Sequence, residues 1–193
     1  MNYILLGAAG FLVMHFLDFV SMKKVPYFKP MFSLFGTALI VVAATMVATN
    51  GGQFGLASWV SAAGWMILVL AAGLMVYSLY FALPLGKTYI KPGTSDKLVT
   101  SGIYALVRHP WLLFFTVAMI GLVLGSRSTL AAEAGLAWTV FSAILVYVQD
   151  LKVFPRMFPG YADYQKTTPM LVPNRNSVTA FIEGLKRNRV PEV

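Results

Sequence analysis

Arg108, His109 and Pro110 stand next to one another between two long apolar runs. Proline is favoured in the first turn of a helix, because its missing N–H would have no partner there. The arginine and histidine would then lie beside the helix N-terminus, where free N–H groups and the helix dipole attract an anion. The pattern is typical of a carboxylate or phosphate site. In the structural alternative, Arg108 is held at lipid headgroups and His109 caps the helix.

Further polar residues occur at the ends of the apolar runs or inside them. Gln149 and Asp150 close the last long run, and His15 lies within the first. An ionisable group inside an apolar segment is costly and usually faces the protein interior or water, so His15 is either a ligand or a paired structural residue. Tyr161 and Tyr164 follow the last run. They indicate either an aromatic belt at the membrane interface or a surface that contacts substrate.

The composition predicts the elements that position these residues. Hydrophobic residues make up 58% of the chain and charged residues only 11%, whereas a soluble domain has about 25% charged residues. No charged residue occurs between Lys29 and Lys87. We therefore predict an integral membrane protein. The chain has no cysteine, which excludes disulfides, thiolate metal sites and cysteine nucleophiles.

Five apolar segments are predicted as helices, and the first is interpreted as a retained span and not as a cleaved signal peptide. The segments are 2–21, 31–49, 59–83, 111–125 and 131–149. The fourth covers only about 22 Å, and the short connection at 126–129 predicts that it forms a tight hairpin with the fifth. The predicted fold is an all-α, polytopic membrane helix bundle of about five transmembrane helices with a C-terminal helical hairpin. It is organised as a single integrated domain with regions 1–83, 84–173 and 174–193.

The basic residues predict the orientation of the bundle. The chain has 15 lysines and arginines and a net charge of +8. With the N-terminus outside and the C-terminus inside, all of them except Arg127 lie on the inner face, as the positive-inside rule requires. We attribute the positive charge to inner loops that face anionic lipid and not to nucleic-acid binding. The hairpin then brings Arg108-His109 and Gln149-Asp150 to the inner face, where a site could take a polar reagent from water and an oily substrate from lipid.

Two stretches resemble a known family. LVTSGIYALVRHP, followed by a helical hairpin and then FPGYADYQKTTPMLVP, is similar to the isoprenylcysteine carboxyl methyltransferase-like family, which includes phospholipid methyltransferases. The resemblance covers roughly residues 84–173. It implies an integral membrane methyltransferase that uses S-adenosylmethionine from the cytosol and a lipophilic small-molecule or lipid acceptor from the bilayer. A bacterial or archaeal cytoplasmic membrane is the expected location.

The resemblance also implies roles for individual residues. Arg108 and His109 would hold the amino-acid end of the cofactor, with Asp150 facing its ammonium, and these three are the expected catalytic residues. Tyr161 and Tyr164 are the expected substrate contacts. The remaining cofactor contacts would come from the residues around the two motifs: Lys97, Leu98, Val99, Tyr104, Pro110 and Gln149.

The chain departs from the family pattern at several positions. Leu112 replaces a tyrosine that the family often has, and Gln149-Asp150 replaces a glutamate pair. Leu145 and Val146 occupy the region where prenylcysteine enzymes carry an arginine that orients the substrate. A prenylcysteine substrate is therefore not expected. Because only His109 and Asp150 stand out as candidate bases, an acceptor that is already nucleophilic is favoured, such as a carboxylate, thiolate or amine.

Two other functions remain open from the sequence. His15 and His109 reproduce a histidine pair of a related group, the denitrification-accessory proteins and carotene isomerases, which implies haem ligation. The other alternative is a membrane protein of the same family without catalysis. No further metal site is predicted, and the oligomeric state does not follow from the sequence.

Overall fold

The computed structural model describes residues 1–22, 28–83 and 98–187, and its regular elements are helices. In chain order they are α1 Asn2–Met22, α2 Phe28–Thr49, α3 Ser58–Val76, α4 Ile103–Leu106, α5 Pro110–Ser126, α6 Thr129–Val148, α7 Phe154–Met157, α8 Tyr161–Thr167 and α9 Arg175–Arg187. One π-helical turn, Tyr77–Phe81, continues α3, and another, Gln149–Val153, joins α6 to α7. The prediction of an all-α fold is confirmed for these residues.

Three helical stretches are long and apolar enough to cross a membrane: Met31–Thr49, Ser58–Phe81 and Thr129–Met157. Two more apolar helical stretches, Asn2–Phe16 and Pro110–Ser126, are shorter than a usual span. The chain is therefore an integral membrane protein, and large apolar side chains such as Leu34, Trp59 and Leu136 are exposed on its helices. The number of five spans and the orientation remain predictions.

The hairpin turn between α5 and α6 lies where the sequence predicts it. Arg127 ends α5 in the left-handed backbone region, with φ of 57°. Ser128 then caps α6 by accepting a hydrogen bond from the Ala131 amide at 3.2 Å, and its hydroxyl donates to the carbonyl oxygen of Val47 at 2.6 Å. The Thr129 amide donates to the Gly52 carbonyl at 2.8 Å. This turn and the α2–α3 loop therefore lie at the same end of the bundle.

Glycines allow α3 and α5 to pack very closely. A Cβ atom on Gly64 would lie 2.4 Å from the Gly125 amide nitrogen, and one on Gly121 would lie 2.5 Å from the Leu68 amide nitrogen. Contacts this short leave no space for a side chain. Small residues at helix interfaces are typical of membrane bundles, where they let two backbones approach.

Helix α1 is attached to the hairpin through a buried tryptophan. The indole Nε1 of Trp138, in α6, donates to the Ile4 carbonyl at 2.8 Å. The ring lies directly over Gly7, where an added Cβ atom would come within 2.3 Å of it. Phe11 packs edge-on against Phe115 of α5, with ring centroids 5.1 Å apart. The position of α1 relative to α5 and α6 is thus defined by directional contacts.

Cysteine labelling can test the predicted topology, because the chain has no cysteine of its own. We expect Asn50→Cys and Thr129→Cys to react with a membrane-impermeant maleimide from outside the cell. Lys166→Cys, at an exposed position of the segment 161–167, should react only after the membrane is permeabilised, because the basic tail is predicted to lie inside. Labelling of Asn50→Cys and Lys166→Cys from the same side would show that the predicted orientation is wrong.

Candidate functional site

Asp150 lies at the centre of a buried polar network. It occupies the π-helical turn that ends α6, and it is 3% exposed. A π-helical turn is wider than an α-helical turn and often occurs at functional sites. Gln149, the preceding residue in this turn, is also buried. The structure therefore places the predicted polar pair inside the protein.

Arg108 pairs with Asp150 through two parallel hydrogen bonds. Its Nε donates to Oδ1 at 2.8 Å, and its Nη2 donates to Oδ2 at 2.7 Å. This forked geometry is the strongest arrangement for an arginine and a carboxylate. Burial by itself lowers the pKa of Arg108, but the hydrogen bonds and negative charge of Asp150 outweigh it, and the pKa is raised. Arg108 is therefore a largely buried cation, with its side chain 9% exposed, that Asp150 neutralises.

His109 donates to the same carboxylate and is nearly fully buried. Its Nε2 lies 3.0 Å from Oδ1 of Asp150, and its ring stacks on Phe154 with centroids 5.6 Å apart and planes at 12°. Burial lowers the pKa of His109, although the hydrogen bond to Asp150 opposes the shift. Burial therefore favours the neutral ring. Since a carboxylate only accepts, Nε2 carries the hydrogen, and Nδ1 keeps a lone pair.

Two residues of α8 complete the shell around Asp150. The Tyr161 hydroxyl donates to Oδ1 at 2.6 Å, and Gln165 Nε2 donates to Oδ2 at 3.1 Å and to the Asp150 carbonyl at 2.9 Å. Burial and the hydrogen bond to the carboxylate raise the pKa of Tyr161, so its hydroxyl stays protonated. The carboxylate of Asp150 thus accepts five hydrogen bonds from four side chains.

The segment after α8 holds Arg108 and His109 by their backbones. The Arg108 amide donates to the Pro169 carbonyl at 2.9 Å, and the His109 amide donates to the Met170 carbonyl at 3.1 Å. Arg108 Nη1 also donates to the carbonyl oxygens of Gln165 and Thr168. The segment 158–173, the second stretch that resembles the family, therefore folds back onto the first, 98–110.

Four of the predicted cofactor contacts, Lys97, Leu98, Val99 and Tyr104, lie before α5 in the chain. Leu98 and Val99 are half-buried, while Lys97 lies outside the described residues. Tyr104, in α4, is buried, and its hydroxyl donates to the Ser78 carbonyl at 2.9 Å. The Tyr164 hydroxyl donates to the Tyr104 carbonyl at 2.5 Å. These contacts connect α4 to α8 and to the π-helical turn after α3.

The predicted site residues thus fall into three groups. Arg108, His109, Asp150 and Tyr161 meet in one network, with the buried Pro110 directly after His109. Tyr104 and Tyr164 contact each other beside it. His15 lies in α1, with its ring centroid 6.1 Å from that of Trp111 at the start of α5.

The interpretation of the two tyrosines as a lipid-facing belt is wrong. Tyr161 is 2% exposed and Tyr164 is 6% exposed, and both hydroxyls are hydrogen-bonded inside the protein. Tyrosine is tolerated there because its hydroxyl finds an acceptor when the ring is buried. Their contact with a substrate stays a prediction.

The sequence did not predict the role of Gln165 or the stacking of Phe154 on His109. Gln165 follows Tyr161 by four residues, so the two share one face of α8, and this spacing could have identified it. Phe154 stands four residues after Asp150, but its stacking on His109 depends on how the π-helical turn rotates the end of α6. Within the described residues, no group of three or more metal-ligating side chains lies close enough to hold an ion.

Two curated relatives match part of the chain. The nickel-cobalt-cadmium resistance protein NccN of Alcaligenes xylosoxydans xylosoxydans is 35% identical over 44% of this chain and 40% of its own length. The cobalt-zinc-cadmium resistance protein CzcN of Cupriavidus metallidurans is 27% identical over 52% of this chain and 49% of its own length. The chain therefore spans less than half the length of each of these relatives. No solved structure gives a significant match.

One protein-family model matches the part of the chain that runs from α3 to the start of the π-helical turn after α6. The phospholipid methyltransferase family model matches residues 59–151, which include Arg108, His109 and Asp150. The matched part of the chain is therefore similar to phospholipid methyltransferases, and its apolar helices are typical of a membrane protein. The match confirms the resemblance of this integral membrane protein to the phospholipid methyltransferase family.

Proposed function

We propose that the chain transfers a methyl group from S-adenosylmethionine to a lipophilic acceptor at the cytoplasmic face of the membrane. The observation that carries this proposal is the buried network of Arg108, His109 and Asp150, placed within a chain that matches a methyltransferase family. These three residues supply a cation, a neutral imidazole and an anion at one end of the α5–α6 hairpin. Strongly perturbed ionisable groups of this kind are typical of functional sites.

The charges of this network suit the amino-acid end of the cofactor. That end is a zwitterion, with a carboxylate and an ammonium. Arg108 and Asp150 now neutralise each other, so a zwitterion could insert between them by exchange of partners, with its carboxylate on Arg108 and its ammonium on Asp150. The exchange leaves no buried charge unpaired, which is the condition for a tolerable desolvation cost.

Separation of Arg108 from Asp150 would require α8 and the segment after it to move away. Tyr161 and Gln165 bind Asp150, and the carbonyl oxygens of Pro169 and Met170 bind the backbone of Arg108 and His109. We infer that cofactor binding displaces this segment and re-forms its contacts around the ligand. Leu98, Val99 and Tyr104, with Tyr164 behind them, would then line the adenosine part of the site.

The cofactor supplies an activated methyl group on a sulfonium, so the protein mainly has to orient the two reactants. Orientation can contribute about 7–11 kcal/mol to lowering a barrier of this kind. The exposed apolar surface of α2, α3 and α6 keeps the site in a bilayer, from which a lipophilic acceptor can approach sideways. Apolar surroundings also exclude water, which would compete with the acceptor.

Calorimetry with S-adenosylhomocysteine tests the proposal. We expect wild-type protein in nanodiscs to bind this product, and His109→Ala to bind it about 10- to 100-fold more weakly, because a charge-assisted hydrogen bond contributes about 1.5–3 kcal/mol. Asp163→Asn is the matched control, since the Asp163–Lys166 pair is exposed on α8 and should not affect affinity. Wild type that does not bind, or folded His109→Ala that binds as wild type does, would contradict the proposal.

Haem binding is the second candidate, because two histidines lie near the start of α5. His15 Nε2 has no hydrogen-bond partner among the described residues, and His109 keeps a lone pair on Nδ1. Both are suitable ligands for haem iron. An absorption spectrum of the protein from haem-replete cells decides between the candidates. A Soret band that disappears in either histidine variant would establish haem, and colourless folded protein that binds S-adenosylhomocysteine would exclude it.

A further inference from the structure

The carbonyl oxygen of Phe11 determines which ring nitrogen of His15 carries a hydrogen. His15 Nδ1 lies 2.9 Å from this oxygen. A carbonyl oxygen can only accept, so Nδ1 must be the donor. A second hydrogen on Nε2 would make the ring a buried cation without a partner, which is strongly unfavourable. The ring is therefore neutral, and Nε2 holds a bare lone pair.

This lone pair is buried and unused. Nε2 is inaccessible to solvent, and no described residue lies within hydrogen-bond distance of it. A buried acceptor without a donor costs free energy in the folded protein. Such a group needs an explanation, and a catalytic role is one of those that apply to native proteins.

The ring of His15 is held in its place by the packing of α1. Phe11, which provides the carbonyl, contacts the rings of Phe115 and Trp138 at centroid distances of 5.1 and 6.4 Å. Trp138 in turn bonds the Ile4 carbonyl. Helix α1 therefore cannot rotate about its axis without breaking these contacts. The direction of the Nε2 lone pair is thus a property of the folded bundle.

His15, in α1, lies near the first turn of α5, next to the proposed active site. Its ring lies 6.1 Å from that of Trp111, at a tilt of 60°, and Trp111 follows Pro110 in the first turn of α5. His109, at the start of the same turn, belongs to the Arg108–Asp150 network. The bare nitrogen and the charged network therefore flank the same end of α5.

We propose that His15 Nε2 accepts the hydrogen bond of a lipophilic methyl acceptor that carries an O–H or N–H group. This inference rests on the proposed methyltransferase function and names its substrate class. In the transfer, the acceptor oxygen or nitrogen forms a bond to the methyl carbon. The carbon–sulfur bond breaks and leaves its electron pair on sulfur, and the proton of the acceptor passes to Nε2. The positive charge that the sulfonium loses thus moves to His15, so the total charge of the loaded site does not change.

The two bases considered from the sequence are already occupied. Asp150 accepts five hydrogen bonds from four side chains, and His109 Nε2 is a donor to it. His15 is a base with a free lone pair in the apolar part of the bundle. An alcohol, a phenol or an amine therefore suits this site, whereas a carboxylate has no hydrogen to donate to Nε2.

Nuclear magnetic resonance of nitrogen-15-labelled histidine tests this without turnover. The chain has only two histidines, so His109→Gln identifies the His15 signals. We expect Nδ1 to carry a hydrogen and Nε2 to carry none. With S-adenosylhomocysteine present, dodecan-1-ol should shift the Nε2 resonance, and dodecyl methyl ether, which lacks the O–H, should not. A hydrogen on Nε2 of the free protein, or no response to dodecan-1-ol and dodecylamine, would overturn the inference.

Two substitutions of His15 distinguish its proposed contact with the acceptor from its hydrogen bond to the Phe11 carbonyl. His15→Asn keeps an N–H in reach of the Phe11 carbonyl but removes Nε2, so it should weaken dodecan-1-ol binding at least about 10-fold. His15→Gln places an amide oxygen near the position of Nε2, so it should keep binding but not accept a proton. Unchanged dodecan-1-ol affinity in folded His15→Asn would overturn the inference.

The cofactor measurement distinguishes the two possible failures. Wild type that binds no S-adenosylhomocysteine refutes the methyltransferase itself. Wild type that binds it but shows no response of Nε2 refutes only the role of His15. A Soret band that disappears in His15→Asn would assign Nε2 to iron and would also overturn the inference. If His15→Asn does not fold, the resonance measurements on wild type still decide.

Discussion

Replacing Asp150 by alanine is expected to lower the free energy of unfolding by about 3–5 kcal/mol, because it leaves the buried Arg108 cation without its partner. The same change leaves the hydroxyl of Tyr161 and the amide of Gln165 without their acceptor. Denaturant titration in detergent, followed by tryptophan fluorescence, measures the change. Cofactor affinity should fall as well, since Asp150 is proposed to hold the ammonium.

A matched carboxylate provides the control for this experiment. Asp163 pairs with Lys166 at 2.8 Å, but both side chains are at least 74% exposed. An exposed pair contributes only about 0–1 kcal/mol, so Asp163→Ala should have little effect. A double variant, Arg108→Met with Asp150→Leu, should recover part of the stability without recovering cofactor binding, because it removes both charges but leaves Tyr161 and Gln165 without their acceptor. Equal stability of Asp150→Ala and Asp163→Ala would show that Asp150 is not buried against Arg108.

Replacing Gly121 by valine is expected to separate α3 from α5 and to abolish cofactor binding. Even one Cβ atom at this position would lie 2.5 Å from the backbone nitrogen of Leu68, so the helices must move apart. Overpacking of this kind costs typically about 1–3 kcal/mol, and more where only backbone can yield. Because α5 begins directly after His109, its displacement should also move the charged network. Fluorescence-detected unfolding and calorimetry measure the two effects.

Gly73 is the control for Gly121. Gly73 lies in the apolar helix α3, but an added Cβ atom there would meet nothing within 4 Å. Gly73→Ala should therefore be neutral or stabilise the protein by up to about 1 kcal/mol, the difference in helix propensity. If Gly121→Val is as stable as Gly73→Ala and still binds S-adenosylhomocysteine, the close contact of α3 and α5 does not determine the site.

Much of the local structure could be predicted from composition and a few punctuating residues. Each predicted apolar segment corresponds to a helix. Helix α3 comes close to the predicted end of its segment only through its π-helical turn, which ends at Phe81, and the last helix is extended to Met157 by the second π-helical turn and α7. Hydrophobic run length determines such elements because a membrane-embedded backbone must satisfy its own hydrogen bonds. Pro110 begins α5, because the fixed φ angle of proline favours the first position of a helix. The hairpin then follows from the short turn at 126–129.

The sequence by itself therefore determined a helical membrane protein in which Arg108-His109 and Asp150 lie at one end of a hairpin. Only the tertiary structure decided that Arg108 and Asp150 pair with each other, and that Tyr161 and Gln165 close the shell. It also decided that His15 presents a bare nitrogen beside α5. The physical reason is the separation along the chain of the residues that make contact. Helices form from contacts a few residues apart, whereas these side chains meet only after the helices have set their rotation and the C-terminal segment has folded back.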